Sequence, residues 1–570
     1  MLLKIRILSI VFLALFVALS VRLFYWQVIK RASLSDQAKS QYTSSQIIAA
    51  PRGNILASDK SFWVVRTQAW LIWVNPRQME LTPREIANKL SPFFVDDTQD
   101  KEALLAETQR LETILGKEGV SWIALKQKVN EEVKRNIEAL KIEGLGFDAQ
   151  ESSYYPEASS AAQILGFVGK DERGSDIGYF GIEGYYDLPL SGKPGFVGGQ
   201  KDAFGSPILL GGTKEVNAIS GVDLEINVDK RIQVAVEKGL AAGIEKYGAL
   251  GGSVTVMDPA DGSVMAMASL PSFDPARYSE YSDSLFKNPI ISDSFEPGSI
   301  LKVAVMAAGL DAGVVQPDTS CDICSNALKV DKYLIKTWND RYHPGITMTD
   351  VIVESDNVGM SFVGQKLGAD RLYDYLHKFG IGEKTGIDLQ GEIAPRLRER
   401  GTWNVVDLAT ASFGQGVAVT GIEMVRAVAA IANGGYLVTP RVVEVIRSDG
   451  WEEKVKPSPQ TRIISEKAAS EVTQMMVEAV ERGEAKWTRI PGFKVAGKTG
   501  TAQIPVAGHY DAANTNHSFI GFAPAENPKF VMLVTLNSPQ SSPWAAETAA
   551  PVWFSIAKEL FPYLGVAPSQ

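Results

Sequence analysis

The chain runs to 570 residues, too many for a single hydrophobic core, so two or three domains are expected. Hydrophobic residues make up 45% and charged residues 22%, an ordinary globular composition. The net charge of -9 argues against a broad basic surface, and so against a general nucleic-acid-binding role.

The first thirty residues differ from all that follow. Lys4 and Arg6 precede an apolar run over residues 7–21. After Arg22 the run resumes at Leu23 and continues to Ile29, ahead of Lys30 and Arg31. About 20 apolar residues cross a bilayer as a helix. Tyr25 and Trp26 suit the interface, and Arg22 can extend its guanidinium to the headgroups. Ala14, Ala18 and Ser20 are small enough for a cleaved signal peptide, but the apolar stretch outruns a signal core. Residues 1–30 are therefore expected to form a cytoplasmic tail and a membrane anchor, with the rest on the far side of the membrane.

From Arg31 to about residue 215 the pattern is mixed. Pro51-Arg52-Gly53-Asn54-Ile55-Leu56 reads as a turn entering a strand. Residues 83–142 are charged and helical in period, with Leu104, Leu105, Leu111, Leu115 and Ile123 as core positions. Glycines crowd residues 166–212, which read as turns and short strands because aromatic and aliphatic residues are interleaved.

A second region begins near Gly221. Residues 224–228 alternate like a strand, and Asp229 is placed to cap a helix reaching Tyr247. Residues 253–258 and 263–268 read as strands joined by the turn Pro259-Ala260-Asp261-Gly262. Residues 518–522 and 530–536 form another strand pair, followed by a helix over 551–561. Strands at both ends with helices between them predict one antiparallel sheet covered by helices, an α+β layout.

Three motifs fall in order within this region: Ser299-Ile300-Leu301-Lys302, Ser355-Asp356-Asn357 and Lys498-Thr499-Gly500-Thr501. S-x-x-K, S-x-N and K-T-G in that order make a serine acyl-transfer site in which lysine, not histidine, moves the proton. A serine hydroxyl is a weak nucleophile and must lose its proton to a neighbour. A lysine one helical turn later shares its face. It acts as a base only if burial or a second cation lowers its pKa. Ser299 follows Pro297-Gly298 and opens an apolar run to Leu310, which places it at a helix N-terminus, where the dipole favours an alkoxide. Serine before a helix is also an ordinary N-cap, and S-x-x-K recurs from Ser284 to Lys287 and from Ser555 to Lys558. Only Ser299 has the turn, the helix and both later motifs.

Ser355-Asp356-Asn357 lies between two apolar helical runs. Asp356 and Asn357 there cap the second run, or Ser355 relays a proton while Asn357 orients the lysine and a substrate amide. K-T-G recurs at Lys384-Thr385-Gly386, which reads as a loop after a helix C-cap. Lys498 instead ends a strand-like stretch over 493–496, and an edge strand presents lysine and threonine into a cleft.

Rival chemistries fare worse. Residues 492–499 fit the phosphate-loop pattern G-x-x-x-x-G-K-T. That loop needs a helix straight after the lysine, and Gly500, Pro505 and Gly508 forbid one. None of His343, His377, His509 and His517 forms a nucleophile-elbow pattern with a serine. His377 reads as a mid-helix structural residue, and His509 and His517 as residues that line the cleft without catalysis. Cys321 and Cys324 form C-x-x-C, which stands for a redox pair, half a zinc site, a local disulfide or two plain thiols. Only His343 is near enough in sequence to be a third ligand, and the flanking residues look like loop, which favours the last two readings.

Further segments join these motifs: Arg52-Gly53-Asn54-Ile55-Leu56, Tyr155-Pro156, Ile164-Leu165-Gly166-Phe167-Val168-Gly169, Gly181-Ile182-Glu183-Gly184, Phe295-Glu296-Pro297-Gly298-Ser299, Gly414-Gln415-Gly416 and Ala432-Asn433-Gly434-Gly435. Together they resemble the class B, monofunctional, high-molecular-weight penicillin-binding proteins over almost the whole chain. The resemblance implies a membrane anchor over 1–30 and an elongated, non-catalytic α+β pedestal of the dimerisation type over 31–215. A serine β-lactamase-like transpeptidase domain follows over 216–565. It implies a peptidoglycan D,D-transpeptidase that acts on stem peptides ending in D-Ala-D-Ala and is trapped by β-lactams, with no metal or organic cofactor.

Ser299 would then be the nucleophile, Lys302 its base, Ser355 the relay and Asn357 the orienting amide. Lys498, with Thr499, Gly500 and Thr501, would bind the terminal carboxylate, and the N–H groups of Ser299 and Thr501 would form the oxyanion hole. The short tail and the segment Val495-Ala496-Gly497-Lys498-Thr499-Gly500-Thr501-Ala502-Gln503 resemble the division-type enzymes, which implies a SEDS-type glycosyltransferase and other divisome proteins as partners. An elongation-type enzyme, a D,D-carboxypeptidase, a β-lactam sensor and a non-enzymatic divisome scaffold stay open. The C-x-x-C departs from the family pattern.

Overall fold

The structure is a computed structural model and describes residues 2–117, 119–172, 174–200, 214–506 and 509–568. The chain divides into two compact units, residues 1–52 with 191–221 and residues 53–190 with 222–570.

In the first unit a helix over Leu2–Phe24 runs into a π-helical turn at Tyr25–Ile29. Together they span 28 residues, the one helix among the described residues long and apolar enough to cross a membrane. The Arg22 guanidinium lies 5.2 Å from the Trp26 ring centre and 5.9 Å from that of Tyr25, so the charge interrupting the run sits on aromatic faces. A helix over Arg31–Tyr42 follows. Strands Thr43–Ile48, Gly195–Gln200 and Lys214–Val216 form a three-stranded antiparallel sheet in that order. Of the short strands expected over 166–212, Gly195–Gln200 lies in this unit, while Phe167–Lys170 and Asp176–Tyr179, with short helices at Gly181–Tyr185 and Asp187–Ser191, fall in the segment 53–190 of the second, apart from Ser191 itself. Residues 201–213 lie outside the described residues.

The second unit begins just after Pro51-Arg52, and the expected strand follows there at Ile55–Leu56. The segment expected to be helical over 83–142 is helical at Pro83–Leu90, Lys101–Leu115 and Glu131–Glu138, but a strand, Ile123–Val129, interrupts it. Leu111, Leu115 and Ile123 are buried as expected, whereas Leu105 is 59% exposed. Ile123 is buried as a strand residue, through pairing with the long strand Phe62–Val74. Ile123, Leu125 and Val129 do fall at a period of two, but Lys126, Gln127 and Lys128 between them make the segment pass for part of the charged helical run around it. The strand expected over 224–228 forms at Asp223–Ile226. It pairs parallel with Ile55–Leu56 and antiparallel with Val443–Ser448, in a seven-stranded sheet separate from the one that carries the K-T-G motif.

Six helices and five strands frame the motifs. The helices are α1 (Lys230–Tyr247), α2 (Lys302–Asp311), α3 (Met348–Val353), α4 (Asn357–Leu367), α5 (Glu466–Arg482) and α6 (Ala549–Tyr563). The strands are β1 (Gly251–Met257), β2 (Val264–Leu270), β3 (Ala496–Val506), β4 (His509–Ala523) and β5 (Phe530–Asn537), antiparallel throughout in the order β2-β1-β5-β4-β3. Asp229 caps α1 by accepting from the N–H groups of Arg231 and Ile232.

Side chains alternate across the sheet with a period of two. Met532 and Val534 of β5 pack with Val236 and Leu240 of α1 and Trp553 of α6. Val531 and Leu533 face the opposite cluster, with Val303 of α2 and Val472 of α5. α2 is buried from Lys302 to Leu310, apolar on all sides except for that one lysine.

Candidate active site

Ser299 sits in a 3₁₀ turn, Gly298–Leu301, that runs directly into α2. Lys302 begins the α-helix and is completely buried. Its Nζ donates to the Ser355 carbonyl at 2.7 Å, to Ser355 Oγ at 3.2 Å and to Asn357 Oδ1 at 2.7 Å. Burial, and next the nearby Lys498 ammonium, hold Lys302 well below the ordinary lysine range, while Asp356 and Glu484 pull the other way. The base of the expected site is thus tied to the second motif.

Ser355 connects α3 to α4 with φ 55°, a left-handed conformation unusual for serine. Asp356 Oδ1 caps α4, accepting from Val358 N at 2.8 Å and Gly359 N at 2.9 Å. Capping and site chemistry are therefore divided within one motif: Asp356 caps the start of α4, and its neighbours on either side hold Lys302. The other end of the Asn357 amide donates to the Lys336 carbonyl at 2.9 Å, which fixes the side chain.

The third motif lies on β3, the edge strand. The strand begins at Ala496, where it was expected to end, and runs on through Pro505. An edge strand tolerates proline because one side of it needs no ladder hydrogen bonds. Lys498 is 3% exposed, and its Nζ donates to the Thr499 carbonyl at 3.1 Å and hydroxyl at 3.2 Å. Burial lowers its pKa too, opposed by Glu484. Gly500 is where β3 passes closest to the serine turn. A Cβ there would lie 2.8 Å from Ile300 Cγ2 and 3.2 Å from Ile300 N.

Ser299, Ser355, Asn357, Thr499 and Thr501 line one cavity of about 340 Å³. Lys302, Lys498 and Gly500 are not among its lining residues, and both lysines are buried. The other S-x-x-K and K-T-G segments are elsewhere. Ser555 lies within α6, and Thr385 is hydrogen-bonded to Glu392 in a loop. The phosphate-loop pattern has a strand where a helix would be needed.

His517 does not line the cleft. It is fully buried between Thr515 Oγ1 at 2.8 Å and Thr548 Oγ1 at 2.7 Å, and burial lowers it to about 4, so it is neutral. His377 is in the last turn of its helix and exposed, 3.5 Å from Glu383, rather than in mid-helix. His509 begins β4, and its side chain lies outside the described residues. Cys321 and Cys324 form a disulfide, both fully buried, so neither is free to bind zinc.

Trp338, Trp544 and Glu484 are among the cavity residues that lie outside the three motifs. Trp338 and Trp544 meet edge to face with ring centres 4.9 Å apart. Trp338 donates to the Glu354 carbonyl, beside Ser355, and Ala545, next to Trp544, donates to Thr501 Oγ1. The pair therefore links the S-x-N and K-T-G walls. Glu484 follows α5 and accepts from Thr499 Oγ1 at 3.4 Å. An acid just past a helix C-terminus opposes the dipole, and this was its one legible mark.

Residues 252–560 match the penicillin binding protein transpeptidase domain, and residues 47–226 match the penicillin-binding protein dimerisation domain. The chain is 30% identical over 560 residues to the stage V sporulation protein D of Bacillus subtilis, covering 97% of this chain and 85% of the relative. It is 28% identical over 562 residues to a probable peptidoglycan D,D-transpeptidase PenA of Neisseria meningitidis, covering 98% and 92%. Among solved structures, penicillin binding protein 3 of Mycobacterium tuberculosis complexed with aztreonam superposes with a TM-score of 0.69 at 25% identity, covering 92% of this chain and 98% of that one.

Proposed function

The chain belongs to the penicillin-binding protein transpeptidase family, and from that premise we propose that it is a serine-type peptidoglycan D,D-transpeptidase acylated by β-lactams. The observation that carries the reading is the convergence of Ser299, Ser355, Asn357, Thr499 and Thr501 on one cavity beside the buried Lys302.

Ser299 Oγ attacks the penultimate D-Ala carbonyl of a stem peptide ending in D-Ala-D-Ala. Lys302, one helical turn on, accepts the hydroxyl proton. Its burial and the Lys498 charge favour the neutral amine that this requires. Ser355 Oγ, within hydrogen-bond reach of Lys302 Nζ, passes that proton to the departing D-Ala nitrogen. The N–H groups of Ser299 and Thr501 hold the oxyanion. Lys498, Thr499 and Thr501 bind the terminal carboxylate, an ammonium and two hydroxyls matched to an anion, and Gly500 lets their strand approach the nucleophile. An amine from a second stem peptide then attacks the ester carbonyl and returns the proton to Ser299.

Residues 1–30 are assigned to the tail and anchor, 31–215 to a non-catalytic pedestal and 216–565 to the transpeptidase domain. The 28-residue apolar helix supports a single-pass protein of the bacterial inner membrane with its catalytic domain outside the cytoplasm. The short tail and the strand around Lys498 favour septal over elongation work, with a SEDS-type glycosyltransferase and other divisome proteins as partners.

The test uses the full chain in detergent with a D-Ala-D-Ala stem peptide and an acceptor peptide, beside Ser299→Ala. Released D-Ala together with cross-linked dimer, both lost in the variant, is the expected result. Release without dimer would make the protein a carboxypeptidase, and neither product from folded protein would remove the enzymatic reading.

A further inference from the structure

Glu484 is the one acid among the residues lining the cavity, and it stands beside Lys498 and Thr499, two of the three groups assigned above to the substrate carboxylate. A carboxylate at an anion site is a paradox unless it acts on the anion's cationic partner. We propose that Glu484 is a positioning residue that keeps Lys498 charged and aims the Lys498–Thr499 pair at the substrate's terminal carboxylate; this deepens the reading above and rests on it.

Three observations carry the inference. Thr499 Oγ1 donates to Glu484 Oε2 at 3.4 Å and accepts from Lys498 Nζ at 3.2 Å, so the hydroxyl links acid and base. A second, small cavity of about 10 Å³ is lined by both Glu484 and Lys498, with Thr499 and apolar neighbours such as Val480 and Phe519, so acid and ammonium border one largely apolar space. Gly483 fixes where Glu484 begins. A Cβ at Gly483 would lie 2.4 Å from the Ala479 carbonyl oxygen and 2.9 Å from that of Val353, so the turn after α5 is wedged between two backbones. No local benefit explains the residue, since an acid past a helix C-terminus weakens the helix.

The charged groups acting on the two ammoniums come from several elements. Lys302 is on α2, Asp356 at the start of α4, Lys498 on β3 and Glu484 after α5, while His517 on the neighbouring strand is neutral. Glu484 raises Lys498 against the pull of burial and also raises Lys302. Removing its charge lets Lys498 lose its proton at lower pH and lets Lys302 become neutral at lower pH.

The experiment measures the second-order acylation of the full chain by benzylpenicillin across pH, for the wild type, Glu484→Gln and Glu484→Asp. The expected result is that both limbs of the Glu484→Gln profile move to lower pH. The loss would appear in apparent affinity more than in the saturating rate, and Glu484→Asp would restore most of the profile. A Glu484→Gln profile superimposable on the wild type, or one merely scaled down at every pH, would overturn the inference while leaving the transpeptidase reading intact. Failure of the wild type itself to acylate would remove that reading, and this one with it.

Discussion

Asn357 Oδ1 accepts a hydrogen bond from Lys302 Nζ at 2.7 Å, and the other end of the same amide donates to the Lys336 carbonyl. The bond joins the helix after the nucleophile to the turn that carries Ser355, so the first two motifs act as one structural piece. Losing a bond to a charged or easily charged group costs about 1.5–3 kcal/mol. Asn357→Ala is therefore expected to slow acylation roughly ten- to a hundredfold. Stopped-flow acylation checks this, and an unchanged rate would dissociate the amide from the chemistry.

The pH profile reports the lysine pair. Lys302 must be neutral to accept a proton, so acylation rises with pH through its lowered pKa. Lys498 is the second-largest cause of that lowering, after burial. Lys498→Met removes the repulsion and raises the Lys302 pKa. The acid limb should then move to higher pH, whatever happens to the overall rate. A shift in the opposite direction, measured by the same acylation assay, would contradict the coupling.

Gly500→Ala tests the approach of β3 to the serine turn. The new methyl meets Ile300 at 2.8 Å, and the contact includes backbone that cannot swing away. Overpacking of this kind costs about 1–3 kcal/mol. The variant should fold with lowered resistance to denaturant and lose most acylation, because relief of the clash moves Thr501 away from Ser299. Retained acylation with reduced stability would show that the strand's separation from the serine is not critical.

The disulfide closes a loop of only about four residues, which by chain entropy alone is worth about 2 kcal/mol. Cys321→Ala with Cys324→Ala should lower stability by about that amount in a denaturant titration. Acylation by benzylpenicillin should be kept, since neither cysteine lines the cavity. Loss of acylation in a folded double variant would give the pair a role in the site.

What the sequence revealed, and what it hid, divides along physical lines. The three motifs were legible because their chemistry is local: a serine and a lysine one turn apart, a polar break between two apolar helices, and a lysine and threonines on a strand, although that strand begins at Ala496 and does not end there. The sheet was legible from its hairpin turn and its alternation. Residues placed by tertiary packing were not. Trp338 and Trp544 enter from loops about 200 residues apart in sequence and meet only because the two walls of the cleft do. His517 is close to the K-T-G strand, as its position suggested, but pairing opposite Thr501 on β4 leaves its ring between two threonines and away from the cavity. The strand at Asp223–Ile226 could be recognised as a strand, whereas its pairing with residues 55–56 and 443–448 has no trace in local pattern.

The most direct test of the account is the intact mass of the full chain after incubation with benzylpenicillin, beside Ser299→Ala. The account predicts a stable adduct of one drug molecule on the wild type and none on the variant. An adduct that survives in Ser299→Ala, or no adduct on folded wild-type protein, would contradict the assignment of Ser299 as the acylated nucleophile.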